Sequence, residues 1–212
     1  MLWRLATVFA VLVLQTACTY EAATNVNPAR NIYSNYDEKL PLKIALYVDA
    51  EDMAQRVKVS GYACLAHVYP LDARQAFVTS AVATFENIVS AVTTVSEPLS
   101  SAQLQARGLD AMVIVEVQDL DIDLTVIPGF WSAEMKADAE ITASIKADTS
   151  FGRALGTSVE GSENYTADAG VACEGGAVAI GRATEDAMQE TLERLGERLT
   201  NSRRLREIRI KD

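Results

Sequence analysis

Few residues in this chain can do chemistry. The sequence has three cysteines, Cys18, Cys64 and Cys173, and a single histidine, His67. A structural zinc site draws its four ligands from closely spaced pairs, and two distant thiols with one imidazole do not supply them. His67 lies in the apolar run Cys64-Leu65-Ala66-His67-Val68-Tyr69, where an imidazole reads as a core or edge residue of a strand rather than a general base. Asp119, Asp121 and Asp123 alternate, so on a strand they would line one face about 7 Å apart. A calcium loop needs a tight turn and a bidentate glutamate, and these aspartates have neither, so they read as a solvated face. The run Gly175-Gly176-Ala177-Val178-Ala179-Ile180-Gly181 lacks the Lys-Ser/Thr of a phosphate loop and the spacing of a dinucleotide fingerprint, and reads as a turn before a helix. The expectation is a protein that is not an enzyme, with no metal and no cofactor.

Surface chemistry remains. Val126-Ile127-Pro128-Gly129-Phe130-Trp131 places aliphatic and aromatic side chains around a Pro-Gly turn. Hairpin tips are ordinarily polar, so an apolar tip marks a contact surface. Ile127, Phe130 and Trp131 are the candidate partner-binding residues. The alternative is that both rings fold back over the edge of the core.

Cys18 follows Arg4 and an apolar stretch, Leu5 to Leu14, interrupted only by Thr7. The stretch is too short to span a bilayer and matches a secretory signal. With Ala17 directly before the cysteine, the order resembles a bacterial lipoprotein signal, although Gln15 stands where that pattern has an aliphatic residue. In such signals the thiol is acylated, the peptide is cut before the cysteine, and the new amino end receives a further chain. An ordinary secretory signal cut nearby is the alternative. Acyl chains contribute about 0.8 kcal/mol per buried methylene, enough together to hold a protein at a membrane surface. Cys64 and Cys173 would then be the remaining thiols in an oxidising compartment, where a disulfide between them is expected. Two buried thiols that never meet are the alternative to that bridge.

The elements that must position these residues follow from pattern. Hydrophobic residues make up 49% of the chain and charged residues 23%, which excludes wholesale disorder, and the length suits one domain. A formal net charge of −10 is a poor match for phosphate backbones, so no nucleic acid is expected as a partner. The division expected is a signal over 1–17, a lipidated N-terminus and tether over 18–41, one domain over 42–200 and a basic tail over 201–212. Strands are expected over 43–48, 57–59, 62–69 (stopped by Pro70), 111–117 and 154–165. An Asp72/Gln75 capping box and apolar spacing of three and four predict a helix over 73–94. Shorter and longer helices are expected over 102–107, ending at Gly108, and from about 177. The apolar phase changes at Gln118-Asp119, which predicts a bulge. Folding back at Pro128-Gly129 opposes Leu124 to Ala133 and Asp121 to Lys136, with every apolar residue on one face. The fold class expected is α+β, a mostly antiparallel sheet with two long amphipathic helices on one face.

The signal, the first strand ending in Val48-Asp49, the long helix, and the stretch from Ala137-Asp138-Ala139-Glu140-Ile141 to the helix Ala183–Leu195 resemble the YajG-type periplasmic lipoproteins. The resemblance implies an anchored α+β domain and brings no catalytic motif. By the sorting rule of enterobacterial lipoproteins, Thr19 rather than Asp after Cys18 implies the outer membrane, facing the periplasm. The function expected is a non-enzymatic binding or assembly factor of the cell envelope, held to the membrane by lipid and meeting a protein or peptidoglycan partner. The alternative is an accessory lipoprotein of an envelope lipid or ABC-type transport system.

Overall fold

The computed structural model describes residues 20–28, 39–61 and 63–208. In chain order its elements are β1 (Tyr20–Glu21), β2 (Leu40–Asp49), β3 (Ala54–Ser60), β4 (His67–Asp72), α1 (Arg74–Ile88), β5 (Val89–Thr94), α2 (Ser101–Arg107), β6 (Ala111–Pro128), β7 (Ala133–Thr149), β8 (Gly152–Asp168), α3 (Gly175–Thr200) and α4 (Arg203–Glu207). The fold is α+β, as the pattern predicts.

The long strand β6 organises the sheet. Along one edge it pairs antiparallel with β7, which pairs antiparallel with β8. Its other edge is shared: the first half takes β2 in parallel, Ile44 opposite Ala111, and the second half takes β3 in parallel, Val59 opposite Leu124. The predicted bulge lies between those halves, where the register shifts between Val117 and Asp119. The long ladders are antiparallel, but β5 on β2 and β1 on β4 add further parallel pairs, so the sheet is mixed. The parallel pairs of β2 with β5 and of β2 and β3 with β6 come from crossovers through α1 and α2, which alternation within a strand does not announce.

Small side chains let the helices close on the sheet. Ala137, Ala139, Ala143 and Ala147 of β7 are buried beneath Ala183, Ala187 and Leu195 of α3. At Gly161 of β8, an added Cβ would lie 2.6 Å from the Thr191 backbone nitrogen and 2.7 Å from the Ala187 carbonyl oxygen. Helix α1 contributes Phe77, Ala81, Phe85 and Ile88 to the same core. On the opposite face Leu104 of α2 covers Ala45 and Met112, so the start of β6 is buried on both sides, as its unbroken apolar run requires. The short helix ends as expected at Gly108, in the left-handed region at φ 64°, and a Ser100/Gln103 capping box that the sequence reading did not name closes its start.

Several expectations are corrected. The helix predicted over 73–94 stops at Ile88, and Val89–Thr94 is a strand; its β-branched residues complete the free edge of β2, which outweighs their helical spacing. Asp72 does accept the Arg74 backbone N–H at 3.2 Å, but Gln75 bonds Thr79 instead of closing a capping box. The strand expected over 62–69 is displaced to 67–72 and contains Pro70, tolerated because β4 meets only the short arm on that edge. In the β6–β7 hairpin Leu124 opposes Ala137, Val126 opposes Met135 and Asp121 opposes Glu140, with 129–132 as the loop. The slip is by an even number of residues, so every apolar residue keeps its face; burial sets the phase and the loop sets the register. Lys136 binds Asp138 at 2.5 Å on its own strand.

The expected tether and tail are partly folded. Residues 20–24 lie along β4, where Tyr20 pairs with His67 and Glu21 with Val68, and Asn25 and Asn27 continue onto α3. Thr24 donates to the Pro70 carbonyl from its backbone N–H (3.3 Å) and its hydroxyl (2.8 Å), and Asn27 donates twice to Glu185 Oε1 at 2.7 and 2.8 Å. The polar residues of a segment that reads as a tether thus supply donors that fasten it to β4 and α3. Leu40 already belongs to β2. In the basic segment, Leu205 of α4 is buried and Arg206 donates to the Thr200 carbonyl at 2.7 Å. The signal and Cys18 lie outside the described residues.

Candidate functional site

Cys64 and Cys173 are joined by a disulfide, with Cα atoms 6.2 Å apart, inside the reach of such a bond. It links the loop 61–66, between β3 and β4, to the loop 169–174, between β8 and α3. Both cysteines take left-handed backbone, φ 60° at Cys64 and 58° at Cys173, a conformation unfavourable to residues with a Cβ. Tyr69 of β4 pins the second loop independently. Its ring is fully buried and its hydroxyl donates to the Cys173 carbonyl at 2.7 Å. Burial, with the nearby Glu174 charge adding, pushes this phenol up to about 12. Backbone N–H groups, Ala172 among them at 2.9 Å, hold the Glu174 carboxyl below its usual range.

The glycine run at the start of α3 is used for close approach. A Cβ at Gly176 would meet Tyr69 Cζ at 2.5 Å, and one at Gly181 would meet the Asn25 carbonyl oxygen at 2.6 Å. The run thus seats Tyr69 on one side and the N-terminal arm on the other. His67 opens β4, its ring 6.3 Å from that of Tyr69, in agreement with an edge-of-core reading. Asp119, Asp121 and Asp123 are exposed, Asp123 accepts from Ser60 at 2.6 Å, and no cluster suited to a metal occurs among the described residues.

Strand register brings the remaining candidates to one end of the sheet. Ser60 opposes Thr125, three residues before the end of β6, and Ala133 beyond the β6–β7 loop accepts a hydrogen bond from Ala169. The β6–β7 tip, the two disulfide-linked loops and the start of the N-terminal arm at Tyr20 therefore share a pole. Exposed apolar side chains gather there: Ile127 (41% exposed), Phe130 (89%), Trp131 (93%), Leu65 (63%) and Val171 (104%). Phe130 and Trp131 pack edge to face, ring centroids 4.8 Å apart. They do not fold back over the core. The sequence reading found the hairpin residues but missed Leu65 and Val171; the only signal for them was an apolar residue within two positions of each cysteine, which becomes meaningful once the bridge sets the loops together. At the opposite end, in the β7–β8 turn, Phe151 is exposed singly, which is common on protein surfaces.

No family model matches the chain, and no curated protein matches it. Among solved structures, a protein of Xanthomonas campestris described under the family model DUF330 is similar over 85% of this chain and 96% of its own, at 14% identity and a TM-score of 0.50. A putative neuraminyllactose-binding hemagglutinin homolog of Helicobacter pylori is similar over 85% and 97%, at 8% identity and TM-score 0.45. A minor lipoprotein of Acinetobacter baumannii is similar over 82% and 95%, at 11% identity and TM-score 0.32. At this identity the likeness to the Xanthomonas protein is one of fold alone.

Proposed function

We propose that this chain is a membrane-anchored periplasmic lipoprotein, acylated at Cys18 and held at the outer membrane, that works as a non-enzymatic binding or assembly factor of the envelope. The observation that carries the reading is the coincidence of two features: the arm that follows Cys18 begins at the pole where the exposed apolar side chains gather. The signal-like sequence before Cys18 and the YajG-type pattern support the same reading. Among the described residues no helix is long and apolar enough to cross a membrane.

The transport-accessory alternative needs an apolar groove between helices and sheet. The seating of α3 at Gly161, with backbone of the helix within 3 Å of a would-be Cβ, leaves no such space at that crossing and favours the first reading. A groove of about 200 Å³ does lie between the arm and α3, but its wall is mixed, with Asn25, Asn27, Arg182 and Glu185 beside Ala23, Ala177 and Val178, and it is not the continuous apolar cavity that acyl chains need. The test is a Cys18→Ala substitution in cells fed labelled palmitate. The expected result is loss of label and release from the membrane fraction, or accumulation of the uncleaved form. A normally processed, membrane-bound Cys18→Ala protein would refute the reading.

A further inference from the structure

We infer that the apolar pole is a membrane-contact surface: Trp131, Phe130 and Ile127, flanked by Leu65 and Val171, rest in the headgroup region of the zwitterionic phospholipid surface that holds the anchor. This rests on the lipoprotein reading and adds an orientation and an occupant to it.

Chain length argues for lipid rather than a protein partner. Tyr20 and Glu21 are paired with β4, and Arg56 and Glu21 form an ion pair beside them. Cys18 is two residues before Tyr20, a reach of at most about 7 Å. Because β1 runs parallel to β4, its first residue, Tyr20, sits opposite His67 at the start of β4, beside the loop that carries Cys64. Acyl chains on Cys18 would thus hold this pole against the bilayer instead of letting the domain stand off on a long tether. Whatever is exposed at the pole then lies at headgroup depth. Indole and phenyl rings favour that depth, where their apolar bodies leave water and the indole N–H keeps a partner.

Architecture and charge agree with this. The contact residues come from three separate segments: the Cys64–Cys173 bridge and the Tyr69 hydroxyl on the Cys173 carbonyl fasten the two that carry Leu65 and Val171, and the Ala169 N–H on the Ala133 carbonyl ties the second of these to the base of the β6–β7 hairpin. A net charge of −10 disfavours an anionic surface and leaves apolar insertion at a zwitterionic one.

Trp131 supplies the test, because Trp3 is the only other tryptophan and lies in the signal. The full chain bearing Trp3→Phe, purified from membranes, is reconstituted in phosphatidylcholine vesicles with or without brominated acyl chains. The expected result is that brominated lipid quenches Trp131 by about twofold or more while aqueous iodide quenches it less than in vesicle-free protein, as for an interfacial ring. Phe130→Ser with Leu65→Ser should shift both readings toward the vesicle-free values. The same Trp3→Phe chain with Cys18→Ala and an N-terminal histidine tag, held on vesicles by nickel-chelating lipid, repeats the measurement without acylation. Quenching there with no acyl group found on the natural chain would refute the anchor and leave the contact surface standing. Vesicle-bound protein whose Trp131 stays open to iodide and blind to brominated lipid, in both formats, would overturn the inference and assign the pole to a protein partner.

Discussion

Removing the disulfide should cost this domain more than any single surface change. The perturbation is the double substitution Cys64→Ser with Cys173→Ser, which leaves no unpaired thiol in the domain. The bridge spans a sequence separation of 109. In the chain-entropy model a loop of that length withholds about 16 cal/mol/K from the unfolded chain, or about 4.8 kcal/mol at 25 °C. One opposing contribution comes from the left-handed backbone at Cys64 and Cys173: once unlinked, the loops relax and recover about 1 kcal/mol at each position. The net expectation is about 3 to 5 kcal/mol, or a melting temperature lower by about 6 to 20 °C for a domain of this size. The fold should survive, because Tyr69 still holds the Cys173 carbonyl and the bridge contributes little to the apolar core. Urea titration of parent and variant, followed by far-UV circular dichroism, measures the difference, and reduction of the parent should reproduce it. A loss below about 1 kcal/mol, with the bridge verified in the parent by mass spectrometry, would show that the cross-link constrains little in the unfolded chain and would refute the calculation.

Three further outcomes are expected. Phe130→Ser with Trp131→Ser should move the melting temperature by less than about 2 °C, because both rings are exposed and such changes stay within about 0.5 kcal/mol; a large drop would mean that the rings are packed on the core. Tyr69 has its ionisation raised from 10.0 to about 12, so the protonated form is favoured on folding: its contribution is fully present below pH 10 and is lost as pH rises toward 12, amounting to about 2 to 3 kcal/mol. Tyr69→Phe should be less stable at neutral pH by about 1 kcal/mol for the lost hydrogen bond, yet flatter between pH 10 and 12 in urea titrations, and an equally steep alkaline fall would exclude Tyr69 as its source. Gly161→Ala should destabilise by about 1 to 3 kcal/mol, since the added Cβ meets α3 backbone, whereas Gly156→Ala, whose Cβ would touch only the Arg153 side chain at 3.4 Å, should be near neutral; equal thermal melts for the two variants would show that α3 can move away from β8.

Local sequence determined those features of this protein that depend on neighbours along the chain. The alternation of β6 and β7, the bulge at Val117/Asp119, the capped helix Ser101–Arg107 and the amphipathic face of α3 were legible because strand and helix periods are written in adjacent residues. The apolar character of Ile127, Phe130 and Trp131 was legible for the same reason. Tertiary structure decided what depends on distant partners. Val89–Thr94 is a strand because β2 had an open edge, although its spacing continued a helix. The β6–β7 register followed the loop, because an even slip leaves burial unchanged. Residues 20–28 joined the domain because Pro70 and Glu185, far along the chain, presented acceptors to Thr24 and Asn27. Leu65 and Val171 became part of one surface only when Cys64 met Cys173, and the pole became a candidate contact with the membrane only when β1 paired with β4 and brought the start of the arm to the same end. Each of these is a contact between segments that the chain holds far apart, and periodicity carries no information about which edges remain open when the segments meet.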